Sequence, residues 1–382
     1  MTARRLNTVQ EYYFSKKLRE VAAMIAQGKP VINMGIGSPD LPAHPQVVDA
    51  LKESFNHPKV HQYQSYQGIP ELRQAIAGFY QKHYQVEANP NSEILPLMGS
   101  KEGIMHISMA FLNPGDKVLI PNPGYPTYQS VTRLVEAIPV FYDLRANNDW
   151  QPDLEVLNQM DLSGVKLMWI NYPHMPTGAN AKLTTFKKLI SWAKEKNILL
   201  VNDNPYSFVL TDQPESMLSV AGAMDVGMEL NSLSKSFNMA GWRVGMLVGN
   251  EKNIKAVLKV KSNMDSGMFF GIQQGAIAAL GAEENWFKQL NDVYAQRREL
   301  IFKLATLLNT AFDQQSSGLF VWAKLKDTSK SSVEVIEEIL QNHNVFITPG
   351  SIFGSQGEGY IRFSLCVPAA QISSAIERIT KE

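Results

Sequence analysis

The segment Ser232-Leu-Ser-Lys-Ser-Phe-Asn-Met-Ala-Gly-Trp-Arg243 gathers the groups needed to hold a phosphorylated aldehyde. The amine of Lys235 can condense with a carbonyl to a Schiff base. The hydroxyls of Ser232 and Ser234 and the guanidinium of Arg243 suit a phosphate dianion. A surface lysine in a Ser/Asn loop is the plainer account of such a string, so the chemistry needs support from elsewhere in the chain.

That support is expected where strands end, because open α/β sheets bind ligands beyond the carboxyl ends of their strands. Asp203 follows the apolar run Ile198-Leu-Leu-Val201, within the turn-forming Asn202-Asp-Asn-Pro205. A carboxylate there can pair with a protonated ring nitrogen, and Tyr206, three residues on, can donate to a ring phenolate. Met98-Gly-Ser-Lys-Glu-Gly103 is a small-residue turn entering a helix, whose free N–H groups and dipole would face an anion at Ser100 and Lys101. Tyr125 follows the strand Val118–Ile120 and the turn Pro121-Asn-Pro-Gly124, and is placed to stack on a ring. Arg362 lies inside the apolar run Gly359-Tyr-Ile-Arg-Phe-Ser364, where an unpaired guanidinium is costly and a carboxylate would be bound bidentately. Each residue also has an ordinary explanation: a turn, a helix cap, a core tyrosine, a buried salt bridge.

The Lys235 segment resembles the lysine motif of the class I/II aminotransferases, and it satisfies every restricted position of that motif through Gly241 and on to Gly245. The Asp203-x-x-Tyr206 spacing and the Pro349-Gly-Ser-Ile-Phe-Gly354 segment before Arg362 match as well, so the resemblance runs from about residue 30 to the end of the chain. It implies pyridoxal 5′-phosphate (PLP) as cofactor, with Lys235 as its anchor and proton carrier. It also implies that Asp203 pairs with the pyridine nitrogen, Tyr206 donates to the phenolate and Tyr125 stacks on the ring. Ser100, Lys101, Ser232, Ser234 and Arg243 would then hold the phosphate, and Arg362 the substrate α-carboxylate. By the same resemblance Gly37, in Gly35-Ile-Gly37, belongs to a loop that closes over substrate. Tyr63, in Tyr63-Gln-Ser-Tyr-Gln-Gly68, would reach the phosphate of a neighbouring subunit, which implies a homodimer with shared sites.

One position departs. Where the family has Asn-Pro-Thr-Gly, its asparagine donating to the phenolate, this chain has Met175-Pro-Thr-Gly178. Methionine has no donor, which leaves Tyr206, with His174 or a water as a second source. The activity implied is a ping-pong exchange of an amino group between an amino acid and a 2-oxo acid. A free lysine has a pKa of roughly 10.4, so Lys235 must be depressed to act as a base; conjugation and the nearby Arg243 push that way. A carbon–sulfur β-lyase on the same fold is the alternative reaction, and the LL-diaminopimelate aminotransferases share these motifs as a specific substrate class. A PLP-binding regulator or silent paralogue is disfavoured by the presence of Lys235.

These residues require an α/β scaffold. Val118–Ile120, Val165–Ile170, Ile198–Val201 and Met246–Val248 read as buried strands. They alternate with helical stretches at Lys101–Phe111, Tyr128–Ala137 and Thr185–Lys196. The alternation predicts a fold type I architecture: a large PLP-binding domain over residues 46–282, built on a mostly parallel mixed sheet flanked by helices. A helix over Glu283–Leu308 would lead out of it to a smaller α+β domain over residues 283–382, with strands at Leu319–Leu325, Val345–Thr348 and Tyr360–Leu365. The N-terminal arm, residues 1–45, would complete that smaller domain with a helix and the Gly35–Asp40 loop. Thirty-six basic and 36 acidic residues argue against a nucleic-acid surface. The lone Cys366 excludes an intrachain disulfide framework and fits a reducing compartment. Neither a signal-peptide core after Met1-Thr-Ala-Arg-Arg5 nor a run of the roughly 20 apolar residues needed to span a bilayer is present, so a cytoplasmic enzyme without membrane contact or metal is expected.

Overall fold

The computed structural model describes residues 2–180, 182–211 and 213–380. The first strand, β1 (Ile32–Asn33), belongs to the N-terminal segment. The next seven strands form one sheet: β2 (Ile94–Leu97), β3 (Lys117–Asn122), β4 (Ile138–Asp143), β5 (Val165–Ile170), β6 (Leu199–Asp203), β7 (Gly227–Ser232) and β8 (Gly245–Gly249). Their order is β2-β8-β7-β6-β5-β3-β4, with β8 antiparallel to both its neighbours and every other pairing parallel. Period-2 alternation makes the sheet two-faced. Along β5, Leu167 and Trp169 enter the cluster on one face, and Met168 and Ile170 the cluster on the other; Val201 and Leu200 divide in the same way on β6. Helices cover both faces, as a largely parallel sheet requires.

A second sheet has the order β12-β13-β10-β9, all antiparallel, from β9 (Thr310–Phe312), β10 (Phe320–Leu325), β12 (Thr348–Pro349) and β13 (Tyr360–Ser364). Beside it β1 pairs in parallel with β11 (Val345–Phe346), drawing the N-terminal segment against the C-terminal strands. The N-terminal helix α1 (Tyr13–Ala26) follows, burying Phe14 in the core of this sheet and Val21 and Met24 against Leu340 and Phe346.

Most predicted elements appear within two residues of their expected ends. Two differ for physical reasons. The single strand expected over Val345–Thr348 is broken at Ile347, because β11 pairs with β1 whereas β12 turns to β13. The helix expected over Tyr128–Ala137 is Pro126–Leu134. Pro126 is pre-set for the first helical turn, and Glu136 just beyond the end has a left-handed φ of 62°. Among the described residues no helix is long and apolar enough to cross a membrane.

Arg297, on the long helix Glu284–Leu307, holds the start of the chain to its end. Its Nη1 and Nη2 donate to both Asp40 carboxylate oxygens at 2.6 and 2.9 Å, and Nη1 also donates to the Leu365 carbonyl at 3.0 Å. Removing one partner of a largely buried pair strands the other. Arg297→Met is expected to lower unfolding stability in urea by about 2–4 kcal/mol, toward the low side because Asp40 keeps some solvent.

Candidate active site

β3, β5, β6 and β7 end on the same side of the large sheet, and the residues at or just after their ends meet the N-terminal segment and β13. There they enclose a cavity of about 450 Å³. Gly37, Ser100, Lys101, Tyr125, Met175, Asp203, Tyr206, Ser232, Ser234, Lys235, Arg243 and Arg362 all line it. Tyr63 does not; it is 89% exposed on the surface.

Lys235 sits on the short helical turn Leu233–Ser236 directly after β7. Ser232 starts that turn, its Oγ accepting from the Ser234 N–H at 3.1 Å. The Lys235 Nζ donates to the Gly37 carbonyl at 2.5 Å. Burial holds its amine below the ordinary lysine pKa; Cys366 opposes this, and Arg362 and Arg243 add to it. Burial is thus a larger cause than the Arg243 charge anticipated from sequence.

Asp203 ends β6 and is 4% exposed. Its Oδ2 accepts from the Tyr128 hydroxyl at 2.8 Å, while Oδ1 is buried with no partner. Burial raises its carboxyl to about 6, with the Tyr128 bond opposing and Glu229 adding to the rise. Glu229 lies on β7 opposite Asn202, the residue before Asp203. It is wholly buried and accepts from Tyr80, Asn202, Ser216 and the Met217 N–H at 2.8–3.3 Å.

At the phosphate end, Gly99 (φ 93°) turns β2 into the helix Ser100–Phe111, so Ser100 and Lys101 occupy its first turn, where N–H groups lack intrahelical acceptors. A Cβ on Gly99 would come within 2.3 Å of the Arg243 guanidinium, so the turn and the arginine close on one spot. At the opposite end Arg362 is 3% exposed. Its guanidinium carbon lies 3.8 Å from the Phe320 ring centroid and 4.6 Å from that of Phe353. Nη2 donates to the Gly35 carbonyl at 2.8 Å, Nη1 meets the Met175 sulfur at 3.4 Å, and Nε has no partner. No carboxylate pairs with it among the described residues.

Met175 therefore faces the cavity beside Arg362. His174 does not line it, its Nδ1 being engaged with Thr177 at 2.7 Å. Asn171 does line it, but both ends of its amide are used: Nδ2 donates to the Asp203 carbonyl and Oδ1 accepts from the Met175 N–H. Sequence reasoning missed Tyr128, although it lies three residues after Tyr125, in the first turn of the helix that Tyr125 precedes. It also missed the wall supplied by Tyr12, Phe14, Ser15 and Leu18 of the N-terminal segment, for which no local signal exists.

The donors fit PLP. The orphan Oδ1 of Asp203 suits a pyridinium N–H, the Gly99–Lys101 turn with Arg243 suits a phosphate dianion, and Lys235, its pKa lowered by burial, lines the same cavity. Fold and site together define a fold type I PLP enzyme. Residues 29–379 match the family described as aminotransferase class I and II, and the chain belongs to that family. It is a PLP-dependent aminotransferase. It is 39% identical over 377 residues to an LL-diaminopimelate aminotransferase of Aquifex aeolicus, covering 98% of this chain and 97% of that one. Among solved structures, substrate-bound BacF from Bacillus subtilis superposes with a TM-score of 0.96 at 36% identity, covering 100% of this chain and 97% of the other. An aspartate aminotransferase of Thermotoga maritima does so with 0.91 at 27% identity, covering 100% and 99%.

The raised Asp203 pKa has a sign that can be tested in the cofactor-free protein. An acid whose folded pKa exceeds its unfolded value loses stability as pH rises through the interval, here from 3.8 to about 6, and the loss stays constant above it. Asp203→Asn avoids that loss while keeping an acceptor for Tyr128. Near neutral pH the cofactor-free variant is expected to be more stable than the parent by on the order of 2–3 kcal/mol, with the gain vanishing below about pH 4. Thermal unfolding across pH measures it; equal stability at neutral pH would contradict it.

Proposed function

We propose that this aminotransferase works through the following division of labour, within a large unit over residues 46–282 and a smaller one formed by 1–45 and 283–382. Bound PLP supplies the electron sink that acidifies the substrate Cα–H. Lys235 would anchor it and would take the Cα proton with an amine whose pKa burial lowers. Asp203 keeps the ring nitrogen protonated through Oδ1, while the Tyr128 bond fixes its carboxylate plane. Tyr206 donates to the phenolate without help from Met175, which offers only sulfur. Ser100, Lys101, Ser232, Ser234 and Arg243 hold the phosphate, and Tyr125 stacks on the ring. Gly37 must lack a side chain, since a Cβ there would lie 2.2 Å from the Phe320 ring that supports Arg362.

The observation that carries the reading is Arg362, a buried guanidinium between aromatic rings with no carboxylate of its own. A stranded cation at the end of a cavity is satisfied by the substrate α-carboxylate, so amino acid and 2-oxo acid bind alike. The exposed Tyr63 supports a homodimer in which each copy lends this ring to the other's phosphate end, and the single buried Cys366 is compatible with a cytoplasmic setting.

Arg362→Ala is expected to raise KM for the amino donor by about 30-fold or more, as loss of a charge-assisted pair worth about 2–5 kcal/mol requires, while PLP affinity changes little. Equal loss of both affinities would make Arg362 structural. Formation of a 2-oxo acid and an aminated acceptor, without pyruvate and ammonia release, separates transamination from β-elimination.

A further inference from the structure

The charges lining the cavity can be assigned one by one, and the assignment leaves a remainder that bears on the substrate. Arg362 is placed for the α-carboxylate, Lys235 for the cofactor carbonyl, and Lys101 and Arg243 for the phosphate end. Asp203 is the only carboxylate among the described lining residues, and it is buried under Tyr128. The wall left for a substrate side chain is made by Tyr12, Phe14 and Leu18 of the N-terminal segment with Ile36, and its polar members, Ser15 and Ser38, are neutral. The ammonium of Lys101, beside this wall, already lies over the Tyr12 ring, 4.7 Å from its centroid.

We propose that the amino donor carries an apolar or aromatic side chain and that diamino acids are rejected. The inference rests on the aminotransferase reading and on Arg362 holding the α-carboxylate. A side-chain ammonium brought against this wall would lose its water and find no anion, and the distal carboxylate of a diaminopimelate would meet only Lys101, already over the Tyr12 ring. The segment proposed above to reach a second copy's site, Tyr63-Gln-Ser-Tyr66, contains no acid. An apolar chain instead gains contact with Tyr12, Leu18 and Ile36, and an aromatic one can stack among rings already present. The inference separates this chain from the LL-diaminopimelate aminotransferases it resembles in sequence.

The test uses the PLP-loaded enzyme and one donor at a time, without acceptor, following loss of the visible cofactor absorbance. L-phenylalanine or L-methionine is expected to react at least about 100-fold faster, as a second-order rate constant, than LL-diaminopimelate or L-lysine, a ratio in keeping with leaving a substrate ion unpaired. LL-diaminopimelate reacting as fast as the apolar donors would overturn the proposal. So would L-aspartate outpacing them. Leu18→Glu, at a partly exposed position on the wall, adds the missing anion and is expected to shift the lysine-to-phenylalanine ratio by about 10-fold or more toward lysine. An unchanged ratio would contradict the placement of the side-chain wall. Failure of every donor to bleach the absorbance would instead count against the aminotransferase reading itself.

Discussion

An excess of positive charge around one cavity is the constraint on which the site is built. Lys101, Lys235, Arg243 and Arg362 line a cavity that offers one carboxylate, Asp203. Arg362 and Lys235 are withdrawn from water without a charged partner, which is expensive, and the expense is met differently at each. Arg362 is braced by aromatic faces and the Gly35 carbonyl, and Lys235 gives up part of its proton affinity; Arg243 stays exposed and donates to the Ala240 carbonyl beside the Gly99 turn. Each of these is a partial remedy. In the proposed assignment a phosphate dianion at one end and a carboxylate at the other would complete the balance.

The large sheet sets the spacing between those ends. Ser232 and Lys235 follow β7, Asp203 ends β6, Asn171 and Met175 follow β5, and Tyr125 follows β3, so neighbouring strand ends deliver neighbouring parts of the site. Behind Asp203 stands a second buried carboxylate, Glu229, held by four donors from three other parts of the chain. A carboxylate on the neighbouring strand adds to the cost of ionising Asp203, and the rise in the Asp203 pKa records part of it. The small sheet contributes only Phe320 and Arg362 to the cavity, yet it fixes them through β1–β11 pairing and the Arg297–Asp40 bridge.

How much of this was legible in the sequence depended on how locally it was encoded. The Lys235 segment, the Asp203–Tyr206 spacing and the Gly99 turn are contiguous and sit beside apolar runs, so pattern and chemistry coincided. β2, β4 and β7 were not anticipated. β2 is four residues long with Pro96 in it, β4 exposes Ile138 and Phe141 at the sheet edge, and β7 carries Glu229 and Asn231, whose burial depends on donors brought from distant segments. The α1 wall could not be read at all, because Tyr12 meets Lys101 and Phe14 meets Arg362 only after the chain has closed on itself. Met175 shows the converse: its identity marked a departure, and only its contact with Arg362 shows where its sulfur points.

The central claim is that Lys235, and no other lysine, is the covalent seat of the cofactor. Borohydride reduction of the PLP-loaded enzyme followed by peptide mass mapping tests it directly. The phosphopyridoxyl mass is predicted on the peptide containing Lys235, and in Lys235→Ala the cofactor should still bind but leave no mass on the chain. Phosphopyridoxyl attached at Lys101 or at any other lysine of the parent protein would contradict the account.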